Sequence, residues 1–367
     1  MNQQTVPNVA LFDLLARSWQ RQAPIQDLCF NDDDTLLAIG STDGTVALAR
    51  LGDDEPPQSR IVIDNGRTTI HPRQGRPSPL ISTRIHESTR LSAYRNGTFL
   101  AATRSGELLR VDRSGEIAAK LLSDMGPVTA FDHCRATDLT GAVVRHRLRL
   151  QSGETGPVRE IDLGARTSGI LLMSGDGRLA ALASRDSLSV WRIVDDPAPL
   201  LKISLPSEPL SLKWSADDRW LGCGLRTGGL CLMDVETGAS VMLGDFPGPV
   251  KRLNWSSAMN TVLASGAYRI AGWSIDALPT CAALATGRAG FVMVDTIAAH
   301  PTKDLVAAGY SNGRIALAKT GSHDELTIRD AGGAVTELKW SGDGRHLAVG
   351  DALGAAAIVT FPNEIFK

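Results

Sequence analysis

The 367-residue sequence has no long apolar run and few cysteines. Nowhere do about 18 apolar residues follow one another, so no membrane-spanning helix is predicted. The N-terminal stretch lacks the basic start and the continuous apolar segment of a secretory signal, and we therefore expect a soluble, cytoplasmic protein. The five cysteines are an odd number without CxxC spacing, which favours reduced thiols in the core over a disulfide framework.

An excess of charge of one sign is also missing. The chain has 38 basic and 40 acidic side chains, for a formal net charge of −2. No global electrostatic field therefore favours nucleic acid or an anionic membrane. We expect the partner to be another protein or a peptide, and neither a nucleic acid, a membrane nor a small molecule.

Catalytic and metal-binding motifs are not found in the sequence. It contains no HExxH, GxSxG, GxxxxGK[ST] or GxGxxG pattern, and its seven histidines include no closely spaced pair of ligand type. Asp32, Asp33 and Asp34 stand together, but they lack the spaced ligand set of a calcium loop and are typical of a polar turn. We therefore expect no enzymatic activity, no cofactor and no metal site.

What the sequence does contain is a repeat. The stretch 210–240 has three short apolar runs separated by turn-forming clusters, which predicts an antiparallel β-meander. The same plan recurs at 170–191, 250–269 and 335–354. The positions that we take as equivalent lie 41, 41, 42 and 43 residues apart, and they are Met173, Trp214, Trp255, Ile297 and Trp340. A period in the low forties with about four strands per unit is typical of a β-propeller blade.

Several of these units resemble the WD40-repeat family. The resemblance rests on the turns WSGDGR (340–345), MSGDGR (173–178) and STDGT (41–45), and on the third-strand endings LCLMDVETG (230–238) and SVWRI (189–193). It covers about residues 20–360 and implies an all-β fold, a single closed propeller of four-stranded antiparallel blades. No unit has the Gly-His pair or the Trp-Asp ending of the family, which puts the family's His–Asp hydrogen-bond network in doubt. We expect the recurring tryptophans to fill the space between blades.

Counting units gives eight blades, with seven as the alternative if the degenerate third unit is a long loop. We expect residues 1–367 to form one propeller domain. The segment 8–20 is either a strand that closes the last blade or a short amphipathic helix. Arg60 to Ile63 are predicted to be the fourth strand of the first unit, followed by an insertion loop at 64–79 that is either solvated or a clamp over a partner.

One basic series follows the repeat. Five consecutive second strands end in an arginine, and two second strands carry a tyrosine near the same position. With two cations that open the sixth unit, these form a candidate partner-binding rim around the central channel: Arg104, Arg145, Arg185, Arg226, Arg269, Tyr268, Tyr310, Lys251 and Arg252. Arginine pairs with carboxylate or phosphate, and both residue types dominate protein interfaces. The alternative is that the arginines only cover the sheet edges with their apolar stems.

The resemblance and this rim together indicate a non-enzymatic interaction scaffold or adaptor that binds an acidic or phosphorylated segment. Two alternatives stay open. One is a propeller enzyme that depends on a metal or a quinone. The other is an adaptor that binds nucleic acid through the arginine series.

Overall fold

A computed structural model describes residues 10–64, 67–85, 90–103, 105–121, 126–164, 169–278 and 282–366. Strands make up most of this part of the chain. A short α-helix, α1 (Leu11–Leu15), precedes them, and single 3-10 turns lie at Pro57–Arg60, Arg95–Gly97, Ser257–Met259, Ile275–Ala277 and Asn363–Phe366.

The strands of the first half, in chain order, are β1 (Ala16–Gln20), β2 (Ile25–Phe30), β3 (Leu36–Ser41), β4 (Thr45–Arg50), β5 (Ile61–Asp64), β6 (Arg67–Ile70), β7 (Ile81–Arg84), β8 (Arg90–Tyr94), β9 (Thr98–Ala102), β10 (Leu108–Val111), β11 (Ile117–Lys120), β12 (Val128–Cys134), β13 (Leu139–Val144), β14 (Arg147–Ser152), β15 (Val158–Asp162), β16 (Ile170–Met173), β17 (Leu179–Ala183), β18 (Ser187–Arg192) and β19 (Ala198–Ser204). Those of the second half are β20 (Pro209–Trp214), β21 (Trp220–Leu225), β22 (Leu230–Asp234), β23 (Ser240–Leu243), β24 (Leu253–Ser256), β25 (Thr261–Ala264), β26 (Ile270–Ser274), β27 (Leu284–Thr286), β28 (Val294–Ala299), β29 (Leu305–Tyr310), β30 (Ile315–Lys319), β31 (Glu325–Arg329), β32 (Val335–Trp340), β33 (His346–Asp351) and β34 (Ala355–Thr360).

All of these strands except β5 and β6 form eight four-stranded antiparallel sheets, each a blade of a propeller. The prediction of eight blades is confirmed, and the degenerate third unit forms a full blade from β12 to β15. The outer strand of blade 8 comes from the other end of the chain, because β1 pairs with β34. The first strands of neighbouring blades contact one another all around, including β2 of blade 1 with β32 of blade 8, so the ring is closed.

Small residues in the second strands let the blades approach one another closely. Second strands such as β3, β17 and β33 are almost completely buried because a blade packs against each face. A Cβ atom on Gly350 would lie 2.4 Å from Ile25 of blade 1, and one on Gly309 would lie 2.5 Å from Val335 of blade 8. Larger side chains at these two positions would push adjacent blades apart.

The S-x-D-G turns between first and second strands are closed by side chains. Ser341 donates to Asp343 at 2.6 Å and accepts the backbone N–H of His346 at 3.0 Å. Ser174 makes the same pair of bonds in blade 4, and Ser215 makes it in the S-x-D-D turn of blade 5. These serine and aspartate bonds hold the turns within blades that lack the Gly-His and Trp-Asp pairs.

The insertion in blade 1 differs from the prediction. Ile61–Asp64 pairs with Arg67–Ile70 in a separate hairpin, and the fourth strand of blade 1 is β7, beside β4. The assignment of Arg60–Ile63 to the blade is therefore wrong. A partner strand a few residues away is paired at a lower cost in loop entropy, and this hairpin takes the segment instead. The predicted loop 64–79 accordingly contains β6.

Candidate partner-binding face and central channel

In a blade of four antiparallel strands, the turns between second and third strands lie on one face of the ring, together with the connections between blades. We call this the upper face. Its second-to-third-strand turns are 41–45, 102–108, 144–147, 183–187, 225–230, 264–270, 310–315 and 351–355. All the residues of the predicted rim that the structure describes lie in these turns or beside the connections, but their side chains differ in exposure.

Arg145 and Arg185 are exposed cations on the upper face. Neither takes part in an ion pair with any described residue. Arg145 has a φ of 57°, in the left-handed region, and the other non-glycine residues with positive φ in the described ranges are all Asp or Asn. Asp and Asn tolerate this conformation, whereas it costs an arginine about 1–2 kcal/mol.

The other described members of the arginine series are either paired with a carboxylate or partly buried. Arg226 is exposed but pairs with Glu208 at 2.7 Å, in the connection that enters its own blade. Arg269 is half-buried. Arg104 lies outside the described residues.

The two tyrosines do not occupy equivalent positions. Tyr268 is 46% exposed at the tip of its turn, whereas Tyr310 is 3% exposed and packs in the core between blades 6 and 7. Tyr310 pairs with Val294 at the end of β29, but Tyr268 lies four residues beyond the end of β25. The expectation that Tyr310 contacts a partner is therefore wrong, because the turn of blade 6 is longer and lifts its tyrosine off the sheet.

Lys251 and Arg252 are both engaged in ion pairs. The Lys251 ammonium lies 2.8 Å from Asp295 of blade 7. Arg252 points into the central channel, where its guanidinium pairs with Glu337 of blade 8. The Arg252 pair therefore connects two blades that are not neighbours, across the upper end of the channel, and it is not part of an outward-facing rim.

The sequence analysis missed two apolar side chains on the upper face. Phe291 is fully exposed in the connection between blades 6 and 7, and Leu353 is 71% exposed in the turn of blade 8. The Phe291 connection lies beside the turn of Tyr268, because Val294 and Ala267 are joined by a backbone hydrogen bond of 2.9 Å. The apolar run FVMV, which begins before β28, was the signal for an exposed aromatic outside the strand.

The charges in the central channel were also missed. The first strands enclose a cavity of about 640 Å³, and its charged lining consists of Asp27, Arg90, Lys213, Arg252, Glu337 and Lys339. Lys213 and Lys339 each precede a repeat tryptophan, so the recurring LKW tripeptide was the signal. Desolvation inside the channel lowers the pKa of Lys213, although its side chain is exposed to the cavity, and the nearby charge of Lys339 lowers it further.

The three carboxylates of the Asp32–Asp34 turn bind groups of the neighbouring blades. Asp33 pairs with Arg113 at 2.9 Å, Asp32 accepts the backbone N–H of Gly97 at 2.7 Å, and Asp34 accepts that of Asp343 at 3.1 Å. The three carboxylates thus connect blade 1 to blades 2 and 8.

Within the described ranges, no group of three or more His, Cys, Asp or Glu side chains is placed to hold a metal ion. No helix in the same ranges combines the length and the hydropathy that a bilayer crossing requires.

Comparisons with known proteins agree with this geometry. Residues 16–48 match a family model described as WD domain, G-beta repeat, and residues 298–364 match the WD40 domain of anaphase-promoting complex subunit 4. The crystal structure of the C-terminal WD40 domain of Sif2 is 14% identical, with a TM-score of 0.66 over 95% of this chain and 99% of that one. The chain folds as a β-propeller, and two of its segments are similar to WD40 repeats.

A second solved structure supports the same propeller architecture. The computationally designed Ika8 protein is 15% identical, with a TM-score of 0.70 over 93% of this chain and 98% of that one. At this level of identity the likeness concerns the fold alone. Among curated proteins, none matches this chain significantly.

Proposed function

We propose that this WD40 propeller is a non-enzymatic scaffold whose upper face binds an acidic or phosphorylated segment of a partner protein. The observation that carries the proposal is the presence on one face of Arg145 and Arg185, which form no ion pair with any described residue, together with two exposed aromatic side chains, Tyr268 and Phe291. Arginine and tyrosine are enriched among the residues that dominate protein interfaces.

The geometry divides the face into two parts. Blades 3 and 4 contribute the unpaired guanidinium groups, which would form charge-assisted hydrogen bonds with carboxylates or phosphates. Blades 6 to 8 contribute the exposed aromatic and aliphatic groups, which would contact apolar side chains of the same segment. Arg226 lies between the two parts and would have to exchange Glu208 for the partner's anion.

The backbone of Arg145 supports a role beyond solubility. An arginine occupies a left-handed turn position where Asn, Asp or Gly would be more stable. Replacement with Asn therefore removes the guanidinium and relieves strain at the same time. Loss of partner binding without loss of stability would then reflect the guanidinium itself.

The test is direct binding of a fluorescent peptide of glutamates, and of the same peptide with one phosphoserine, measured by anisotropy. R145N/R185N should weaken binding at least tenfold, about 1.4 kcal/mol, and binding by the wild type should fall with rising salt. The control R178N/R345N removes the same charge from first-to-second-strand turns on the opposite face and should bind like the wild type. Equal binding by all three proteins would refute the proposed face.

A further inference from the structure

We propose that the insertion of blade 1 is a clasp that holds the N-terminal strand β1 in blade 8, so that the ring opens by releasing strand and insertion together. The insertion comprises residues 52–80, of which the structure describes 52–64 and 67–80. The proposal concerns the closure of the ring and does not depend on the upper face.

Although the insertion follows the third strand of blade 1, it packs against blade 8. The hairpin of β5 and β6 is extended by a backbone hydrogen bond of 2.9 Å from His71 to the carbonyl of Arg60. Ile70, at the end of β6, contacts the apolar core of blade 8, which includes Leu15 and Val359. The hairpin therefore lies beside the place where the chain enters β1.

Arg60 connects the insertion to the segment before β1. Its side chain is buried, and its guanidinium donates to the backbone carbonyls of Leu14 at 2.7 Å and Glu55 at 3.3 Å, and also to that of His71. Leu14 lies in α1, directly before the strand. A buried guanidinium is costly unless its N–H groups are bonded, so these carbonyls are held in place together.

Two side chains of β1 bind the two ends of the insertion. Arg17 donates to the carbonyls of Leu51 and Gly52, each at 2.8 Å, where the insertion begins. The indole nitrogen of Trp19 donates to the carbonyl of Ser78 at 2.9 Å, near its end. Residues two apart on a strand point to the same side, so both groups leave β1 toward the insertion.

The two halves of the insertion are bonded to each other as well. The Glu55 carboxylate accepts the backbone N–H groups of Gln74 at 2.8 Å and Gly75 at 2.9 Å. Asp53 pairs with Arg73, and the same carboxylate lies 3.6 Å from the guanidinium of the β1 arginine. The insertion is therefore a closed unit with one of its carboxylates against the strand.

Strand and insertion support each other. A two-stranded hairpin by itself is at best marginally stable in water. β1 is the outer strand of its sheet and pairs with one other strand, β34. Because the hairpin needs the surface around β1 and β1 needs the bonds from the insertion, the two should form one cooperative unit that opens before the blades do.

Hydrogen exchange of the wild type in low concentrations of urea tests this unit. The backbone amides of β1 and of the hairpin should open with the same free energy and the same dependence on urea. Both values should lie below those of the buried strand β17 of blade 4. Different values for β1 and the hairpin would overturn the proposal. Values equal to those of β17 would also overturn it, since the release would then be global unfolding.

Two matched variants test the coupling in both directions. R60M removes the donor of the insertion and should speed the exchange of the β1 amides, whereas R17M removes the donor of β1 and should speed that of the hairpin amides. Each change should be about tenfold, as expected when a hydrogen bond to a buried carbonyl is lost. R76M removes an arginine exposed on the same insertion and should exchange like the wild type.

The pattern of exchange decides the outcome. If R60M accelerated the hairpin alone and R17M accelerated β1 alone, strand and insertion would be independent and the clasp would be refuted. An equal acceleration of β17 in either variant would also refute it, because the arginine would then support the whole ring.

Discussion

The indole nitrogen of Trp340 donates a hydrogen bond to the backbone carbonyl of Ala298, 3.0 Å away in the preceding blade. Trp214 and Trp255 make the equivalent bonds to Leu172 and Lys213, each at 3.2 Å. In all three cases donor and acceptor are 42 residues apart in the chain. The repeat tryptophan therefore connects each of these blades to the one before it, in addition to filling space.

This bond should contribute to stability in proportion to its burial. W340F keeps an aromatic ring but leaves the Ala298 carbonyl buried without its donor, at a cost of about 1–3 kcal/mol. W255F should cost less, because the bond from Trp255 to Lys213 is exposed and water can replace the indole. Urea unfolding of the two variants checks this. Equal losses would show that ring packing alone determines the effect.

Acid should destabilise the protein through His133. Burial lowers the pKa of this side chain to about 4, with Arg135 and Arg95 adding to the shift and Asp138 opposing it. Between pH 6.5 and 4 the unfolded chain binds one more proton at this site than the folded chain. Stability should therefore fall as pH decreases through this window, by about 1.4 kcal/mol per pH unit at most.

The comparison that isolates His133 is with H133Q, which keeps a polar group near Thr140 but does not titrate. His300 and His346, whose pKa values are also lowered by burial, act in the same direction in both proteins. Urea unfolding at pH 7, 6 and 5 should show a shallower loss of stability for H133Q. Parallel curves would mean that His133 is not the group responsible.

Arg17 should be important for the closure of the ring. It is 3% exposed in β1, and its guanidinium donates to the carbonyls of Leu51 and Gly52 of blade 1, each at 2.8 Å. R17A would leave both carbonyls without their donor and the ion pair with Asp53 broken, at a cost of about 3–5 kcal/mol.

The matched control for Arg17 is R50A, at an exposed position of β4. We expect R50A to change the free energy of unfolding by less than about 0.5 kcal/mol. Limited proteolysis should also cut R17A faster near the N-terminal strand, since that strand holds the last blade. Wild-type resistance of R17A would indicate that the pairing of β1 with β34 is sufficient for closure.

In blade 7 the repeat period alone predicts the wrong equivalent of the repeat tryptophans. The sequence analysis took Ile297 as equivalent to the tryptophans, but the strand pairing makes it Ala299, which pairs with Val306 as Trp340 pairs with Leu347. Blade 6 is extended between its third and fourth strands, where nine residues separate β26 from β27 against five between β22 and β23. A constant step carries no information about where such residues are inserted. Hydrogen-bond register decides between two apolar candidates two positions apart.

The candidate rim was predictable in part. The arginines of blades 3 and 4 are exposed as expected, because a residue at the tip of a short turn has little to cover it. The expectation failed where the structure brings another charge or another blade close. Arg226 meets Glu208, Arg252 turns into the channel toward Glu337, and Tyr310 is covered by the neighbouring blade.

By itself, the sequence determined the class of fold and the number of blades, because apolar alternation and a period in the low forties require a series of similar four-stranded sheets. Only the tertiary structure decided which charges are free, which are paired, and which face the channel. Closing the ring brings together side chains such as Arg252 and Glu337, which are 85 residues apart and belong to no common pattern in the chain. Their separation in space depends on the curvature and register of the whole assembly of blades, and no local stretch of sequence encodes it.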